Sequence, residues 1–331
     1  MRQHALRPSC AGAIALGVAL MGVPATAAAA PSGDVRIVTL NLLHGVFCPA
    51  ATGGCQAPDR VALLEQQLTD VKCPDVVGLQ EINENLYKLI KKSRAGFCDG
   101  RYKIVFGPPK GIDTELVLTT LKVRNKKVQK LVGGFRTASR VVLDSPVGPL
   151  VVVVTHQDGD PDPSQPVVGC GKTCPPPCKK GSPVLACQTT ITATLAAKAG
   201  GARAVRVLMG DFNVTPASDR YKSLIAAGWL DAYAGAGDPE CDPATATGCT
   251  SGRDDKSVEA LKDPTKAEVE RIDFLFVKPS KSCEPSFDTA DDADGDGTGT
   301  RLFADEPTTN GPGGLAWPSD HMGVSADFSC K

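Results

Sequence analysis

The chain has 331 residues, 42% of them hydrophobic and 22% charged, with a formal net charge of −1. That balance excludes a wholly disordered or collagen-like chain. It also leaves no global basic field of the kind that holds a protein on nucleic acid or on a membrane surface. Thirteen cysteines are many for a reducing compartment. The N-terminus accounts for them. Arg2 and Arg7 precede an uncharged apolar run over 11–23, and small residues over 25–30 offer cleavage positions, the pattern of a secretory signal peptide. Residues 1–30 are expected to be removed by cleavage between positions 27 and 30, releasing the protein into an extracellular or periplasmic space as one domain over 31–331. No later apolar run reaches the ~20 residues that a membrane-spanning helix needs.

In chain order, residues 35–40 read as a strand, β-branched and bounded by Gly33-Asp34. Residues 59–71 read as an amphipathic helix, with Val61, Leu64, Leu68 and Val71 at helical spacing. A short buried strand at 75–80 and a helix at 83–92 follow. Further strands are expected at 102–106, 115–119, 137–143 and 150–155. The last carries consecutive valines, as a strand buried on both faces requires. A helix at 188–197, a strand at 205–209, a helix at 217–227 and strands at 271–277 and 322–328 complete the series. Strands that alternate with helices in some places and form hairpins in others indicate layered α/β structure with mixed sheets. Polar or Pro- and Gly-rich stretches at 157–186, 235–266 and 288–314 read as surface loop insertions in that one domain.

Several polar residues stand just beyond the apolar strands: Asn41, Glu81, His156, Asp211, Asn213, and the Asp320-His321 pair. In layered α/β sheets ligands gather at strand ends. Carboxylates and amides there can hold a hard divalent cation through oxygen, and two histidines can move protons. Taken singly, each is more often a turn or a structural residue. Their combination and order are more specific.

That order resembles the endonuclease/exonuclease/phosphatase family, the superfamily of deoxyribonuclease I, abasic-site endonucleases, neutral sphingomyelinases and inositol polyphosphate 5-phosphatases. The matching pieces are Thr39-Leu40-Asn41, Leu79-Gln80-Glu81, Thr155-His156, Gly210-Asp211-Phe212-Asn213, Arg271-Ile272-Asp273-Phe274 and Ser319-Asp320-His321. The resemblance implies an α/β four-layer sandwich of two mixed β-sheets flanked by helices. It implies that Glu81, with Asn41 and Asp320, binds Mg²⁺ or Mn²⁺, and that Asp211 and Asn213 position the attacking water and the phosphate. His321 is implied as a general base or phosphate-contacting imidazole oriented by Asp273, and His156 as a second imidazole offsetting charge on the phosphoryl oxygens.

The activity this implies is divalent-metal-dependent hydrolysis of a phosphodiester by a monomer. Nucleic acid is the first substrate class, because lysines and arginines outnumber acids between Glu84 and Arg140. Lys122, Arg124 and Lys126 alternate there and would share one strand face. A sphingomyelinase-like phospholipase and a sugar- or inositol-phosphate phosphatase are the alternatives, and a catalytically silent binding module is the rival from another class. Proximity groups Cys48 with Cys55, Cys73 with Cys98, Cys241 with Cys249 and Cys283 with Cys330. Cys170, Cys174, Cys178 and Cys187 are left for two more bridges or for zinc. The acidic run containing Asp292, Asp294 and Asp296 resembles the start of a calcium loop, although an acidic surface loop is the commoner reading.

Overall fold

A computed structural model describes residues 33–106, 111, 113–134, 136–159, 168–170, 174–287 and 301–331. The expected signal segment and the acidic run from Asp292 to Asp296 lie outside the described residues. The elements begin with β1 (Asp34–Asn41), α1 (Gly53–Asp70), β2 (Val76–Gln80), α2 (Glu84–Ser93), β3 (Lys103–Ile104) and β4 (Leu116–Thr119). A run of hairpins follows, β5 (Lys122–Lys130), β6 (Thr137–Ser145) and β7 (Gly148–His156), then α3 (Val184–Ala197), β8 (Val205–Asp211) and α4 (Asp219–Ala226). The remainder is β9 (Leu230–Asp231), α5 (Ala232–Ala236), α6 (Val258–Lys262), β10 (Asp273–Lys278), β11 (Pro285–Phe287), β12 (Leu302–Phe303) and β13 (Gly323–Cys330).

These strands form two mixed sheets flanked by helices. One has the order β11-β13-β1-β2-β4-β3, with β12 added beside β13, and the other β5-β6-β7-β8-β10-β9. Each sheet contains one parallel pair among the described strands, β1 with β2 and β7 with β8. The valine run of β7 shows why the sheets stack. Val152 and Val154 join the core between the sheets, while Val151 and Val153 pack with Ile191, Leu195 and Leu224 of α3 and α4 on the other side. Alternation along one strand thus feeds two cores. Gly78 of β2 sits where the sheets approach: a Cβ there would lie 2.4 Å from Met209 and 2.9 Å from Val154.

The helix expected at 59–71 is α1. Its first residues, Gly53 to Gln56, have positive φ, so the regular helix starts near Ala57 and Pro58 falls in its first turn, where the missing N–H costs nothing. The strand expected over 102–106 is confined to Lys103–Ile104. The stretch 235–266 is more than a surface insertion: Ser257 caps α6, and Val258, Ala260 and Leu261 are buried. Leu302 and Phe303 of β12 are buried too and pair with β13, so residues 301–304 of the 288–314 stretch are part of the core. The shared face expected for Lys122, Arg124 and Lys126 is broken. A β-bulge between Val123 and Asn125 shifts the register, so Lys122 opposes Asp144 while Lys126 opposes Val141. The extra residue reverses the alternation beyond it.

Six disulfides join Cys48–Cys55, Cys73–Cys98, Cys170–Cys174, Cys178–Cys187, Cys241–Cys249 and Cys283–Cys330. Each local pairing read from the sequence is present. The remaining four cysteines form bridges and not a zinc site. This pattern is consistent with an extracellular protein. No helix among the described residues is long and apolar enough to cross a membrane.

Candidate active site

The two parallel pairs and their antiparallel neighbours deliver their ends to one place. Asn41 and Glu81 stand at the C-terminal ends of β1 and β2, and His156 and Asp211 at those of β7 and β8, where they are register partners. β10 runs antiparallel to β8 and sets Asp273 opposite Asp211. Asp320 and His321 precede β13, which is antiparallel to β1. Glu81, His156, Asp211, Asp320 and His321 line a cleft of about 560 Å³ with Asn213, His44, Asp113 and Arg136, and Asn41 and Asp273 stand behind them, in contact with Glu81, Asp211 and His321.

Local backbone geometry explains the motifs. Gly210 has φ +132°, and a Cβ there would lie 2.0 Å from the Thr155 carbonyl oxygen, so only glycine lets β8 hold Asp211 beside His156. The Asp211 carboxylate then accepts from the Asn213 backbone N–H at 2.8 Å, and the Asn213 side chain donates to the Gln157 carbonyl at 2.9 Å. Leu43, Glu81 and Asn213 all have positive φ, which is costly for side-chain-bearing residues and gathers at functional sites.

Asn41 joins the two sheets. Its Nδ2 donates to Glu81 Oε1 and to Asp211 Oδ2, each at 3.1 Å, and lies 3.5 Å from His321 Nε2. Its oxygen accepts from the Leu43 backbone N–H. The amide therefore presents nitrogen, not oxygen, to the carboxylates. Glu81 also accepts from the His44 backbone N–H at 2.8 Å. Burial opposes its ionisation, but His156, His44 and these hydrogen bonds outweigh that and bring its pKa down to about 2. Asp320 is pushed the other way, by burial and by Glu81, against the pull of His321. Ser319 donates from its hydroxyl to the Asn41 carbonyl, which fastens the Asp320 loop to the end of β1.

The histidines differ. His321 Nδ1 faces Asp273 Oδ2 at 2.9 Å. Burial disfavours its charge, yet Asp273 and Asp320 raise it well above the ordinary imidazole value. The Thr250 hydroxyl accepts from the Asp273 backbone N–H and so positions the strand start. His156 Nδ1 lies 2.7 Å from Arg136 Nη1 and 3.1 Å from Asp113 Oδ2, and its Nε2 is 3.3 Å from Asp211 Oδ2. Asp113 can only accept from Nδ1 and Arg136 can only donate to it; the shorter Arg136 contact favours Nδ1 as acceptor, with the ring proton on Nε2, facing Asp211. Burial lowers the pKa of His156, and Arg136 adds to this against Asp211 and Glu81.

All eight residues singled out in the sequence reach this cleft or its immediate wall. Sequence reading missed Asp113, Arg136 and His44. Arg136 ion-pairs with Asp113 and with Asp158. Arg271, part of a motif, lies elsewhere: it binds Asp231 and Glu240 and ties the 235–266 stretch to the sheet. Donor atoms of Asp211, Asp273 and His321 lie within 4.8 Å of one another, a buried group that could hold a metal ion. Among the described residues Asp273 Oδ1 finds no hydrogen-bond partner.

The model of the endonuclease/exonuclease/phosphatase family matches residues 38–321. Among solved structures, an endonuclease/exonuclease/phosphatase family protein from Bacteroides thetaiotaomicron is similar at 15% identity and TM-score 0.60, covering 90% of this chain and 98% of that one. D. rerio TDP2 complexed with single strand DNA product is similar at 17% identity and TM-score 0.59, over 89% of this chain and 99% of that one. The human Nocturnin catalytic domain with bound sulfate anion is similar at 16% identity and TM-score 0.54, over 90% and 94%. These likenesses show the shared fold. No curated protein sequence matches the chain.

Proposed function

Because the chain belongs to the endonuclease/exonuclease/phosphatase family of metal-dependent phosphoric ester hydrolases, we propose that it is a secreted endonuclease hydrolysing nucleic-acid phosphodiester bonds. The observation that carries this reading is the cleft itself. Two buried imidazoles flank Asp211, His321 with its pKa raised by Asp273 and Asp320 and His156 with its pKa lowered by burial, and a carboxylate held ionised, Glu81, stands beside them. An incoming phosphodiester gathers negative charge as it reacts, and pre-positioned cations and donors stabilise that charge.

Enzymes of this family use divalent metal ions. Of the two carboxylate groups in the cleft, we assign Mg²⁺ or Mn²⁺ to Glu81 and Asp320. Asp273 is committed to His321, whose positive charge repels a second cation, whereas Glu81 is an ionised oxygen donor at the cleft. Asn41 holds Glu81 in place. When bound, the ion offsets phosphoryl charge and orients the substrate. The rest falls to side chains. Asp211 accepts a hydrogen bond from the attacking water, and Asn213 holds the loop that aims Asp211. The His321 imidazolium, oriented by Asp273, donates from Nε2 to a phosphoryl oxygen. His156 donates from Nε2 on the Asp211 side.

Nucleic acid is favoured over the lipid and phosphosugar alternatives by β5, an edge strand with exposed Lys122, Arg124, Lys126, Lys127 and Lys130. The strand leads through 131–134 to Arg136 in the cleft. Such a track releases counterions on meeting a polyanion. A panel of plasmid DNA, RNA oligonucleotides, sphingomyelin and phosphoinositides, each with Mg²⁺ and with EDTA, tests the reading. Cleavage of nucleic acid that EDTA abolishes is expected. Full activity in EDTA, or hydrolysis of lipid alone, overturns it. N-terminal sequencing of the exported protein should find a start just beyond positions 27–30.

A further inference from the structure

Phe47 is 59% exposed and Val46 is 43% exposed, yet the segment that carries them is anchored firmly. Cys48 is bridged to Cys55. Gly45 lies so close to Gly54 that a Cβ would come within 2.5 Å of its carbonyl oxygen. Arg60, fully buried, donates to the carbonyls of Leu42, Gly54, Cys55 and Pro318. An arginine spent on four backbone carbonyls fixes the path of the chain on both sides of Phe47. Its ring lies on the wall of the catalytic cleft, edge-on to His44 with centroids 5.2 Å apart, and the His44 backbone N–H holds Glu81.

Burying that ring against the protein would gain free energy; the fold instead holds it at the mouth of a site for phosphate esters. A rigid aromatic has little conformational entropy left to lose on binding, and every nucleobase offers a flat face to stack on it. A paired base inside a duplex has both faces covered. We propose that Phe47 is a stacking platform for an unpaired nucleobase next to the scissile phosphate, so that the cleft selects single-stranded or frayed nucleic acid. The inference rests on the nucleic-acid reading above. A lipid tail is the weaker occupant: one phenyl and one valine are a small apolar surface, and the neighbouring track is basic.

The test compares two single-stranded oligonucleotides, one ordinary and one with abasic sugars flanking every linkage. On the ordinary strand Phe47→Ala should raise KM about 5- to 150-fold, the equivalent of the ~1–3 kcal/mol that one stacked base contributes. Phe47→Trp should restore the wild-type value. On the abasic strand wild type and Phe47→Ala should be indistinguishable. Trp229 and Trp317 are buried, so the added indole of Phe47→Trp also gives a signal without turnover: base-containing strands should quench it in EDTA, and abasic ones should not. An equal loss on both strands, or none on the ordinary one, overturns the platform while leaving the nuclease reading intact. If the wild type cleaves neither DNA nor RNA, the nuclease reading fails and the inference falls with it. Lipid vesicles that quench the indole where oligonucleotides do not would replace the base with a membrane.

Discussion

The two histidines of the cleft each stand beside a carboxylate, and they end in opposite states. His321 meets Asp273, whose side chain is wholly buried and, among the described residues, ion-pairs with the imidazole alone. His156 meets Asp113, but Arg136 binds the same carboxylate and donates to the same ring nitrogen. At His321 the charges of Asp273 and Asp320 outweigh burial, whereas at His156 burial lowers the pKa and the intervening guanidinium adds to it. A carboxylate beside a histidine is therefore not enough to assign its role; burial and what else holds the carboxylate decide.

The largest effect should come from breaking the charged pair. His321→Ala should lower kcat by about 10²–10⁴-fold, the usual range for a group that handles charge or protons in the reaction. Asp273→Asn should cost less, and the double variant should be little worse than His321→Ala, since groups acting as one unit give non-additive losses. Losses that multiply would dissolve the pair.

The two sides should also divide the pH profile. The raised value of His321 places loss of its proton on the alkaline limb, and the lowered value of His156 places gain of a proton on the acid limb. Asp273→Asn removes the charge that favours imidazolium and should move the alkaline limb to lower pH. Arg136→Gln removes the cation that disfavours it on His156 and should move the acid limb to higher pH. Profiles of kcat against pH for both variants check this, and a limb that stays fixed separates that histidine from its assigned neighbour.

A smaller effect concerns how substrate reaches the neutral side, because the hairpin of β5 and β6 carries Arg136. Lys127→Ala and Lys130→Ala should each flatten the plot of log binding constant against log salt by about one unit if they meet phosphates. An unchanged slope would give that strand to solvent.

The contrast between the two pairs also marks what the sequence made legible. Asp273 and His321 border strands whose apolar runs are plain, and so do Asn41, Glu81, His156 and Asp211. A polar residue at the end of a buried strand is visible without coordinates. Asp113 and Arg136 sit in connections between strands, where no periodicity marks them, and only the packing of two hairpins brings them to His156. The layered order of helices and strands was legible for the same reason as the first group. The bulge in β5 was not, because an extra residue leaves no trace in an exposed, polar strand. The 235–266 stretch reads as mostly polar, and its burial rests on Cys249, Thr250 and Arg253 and on one short helix turned inward by Val258 and Leu261.

The claim that the site holds its two imidazoles in opposite states is tested most directly by ¹⁵N and ¹³C NMR titration of the histidine rings in the metal-free protein. His321 should titrate well above the ordinary imidazole value. His156 should titrate below it and carry its proton on Nε2 at neutral pH. Titration of both rings together near the ordinary value, or His156 above His321, would contradict the account.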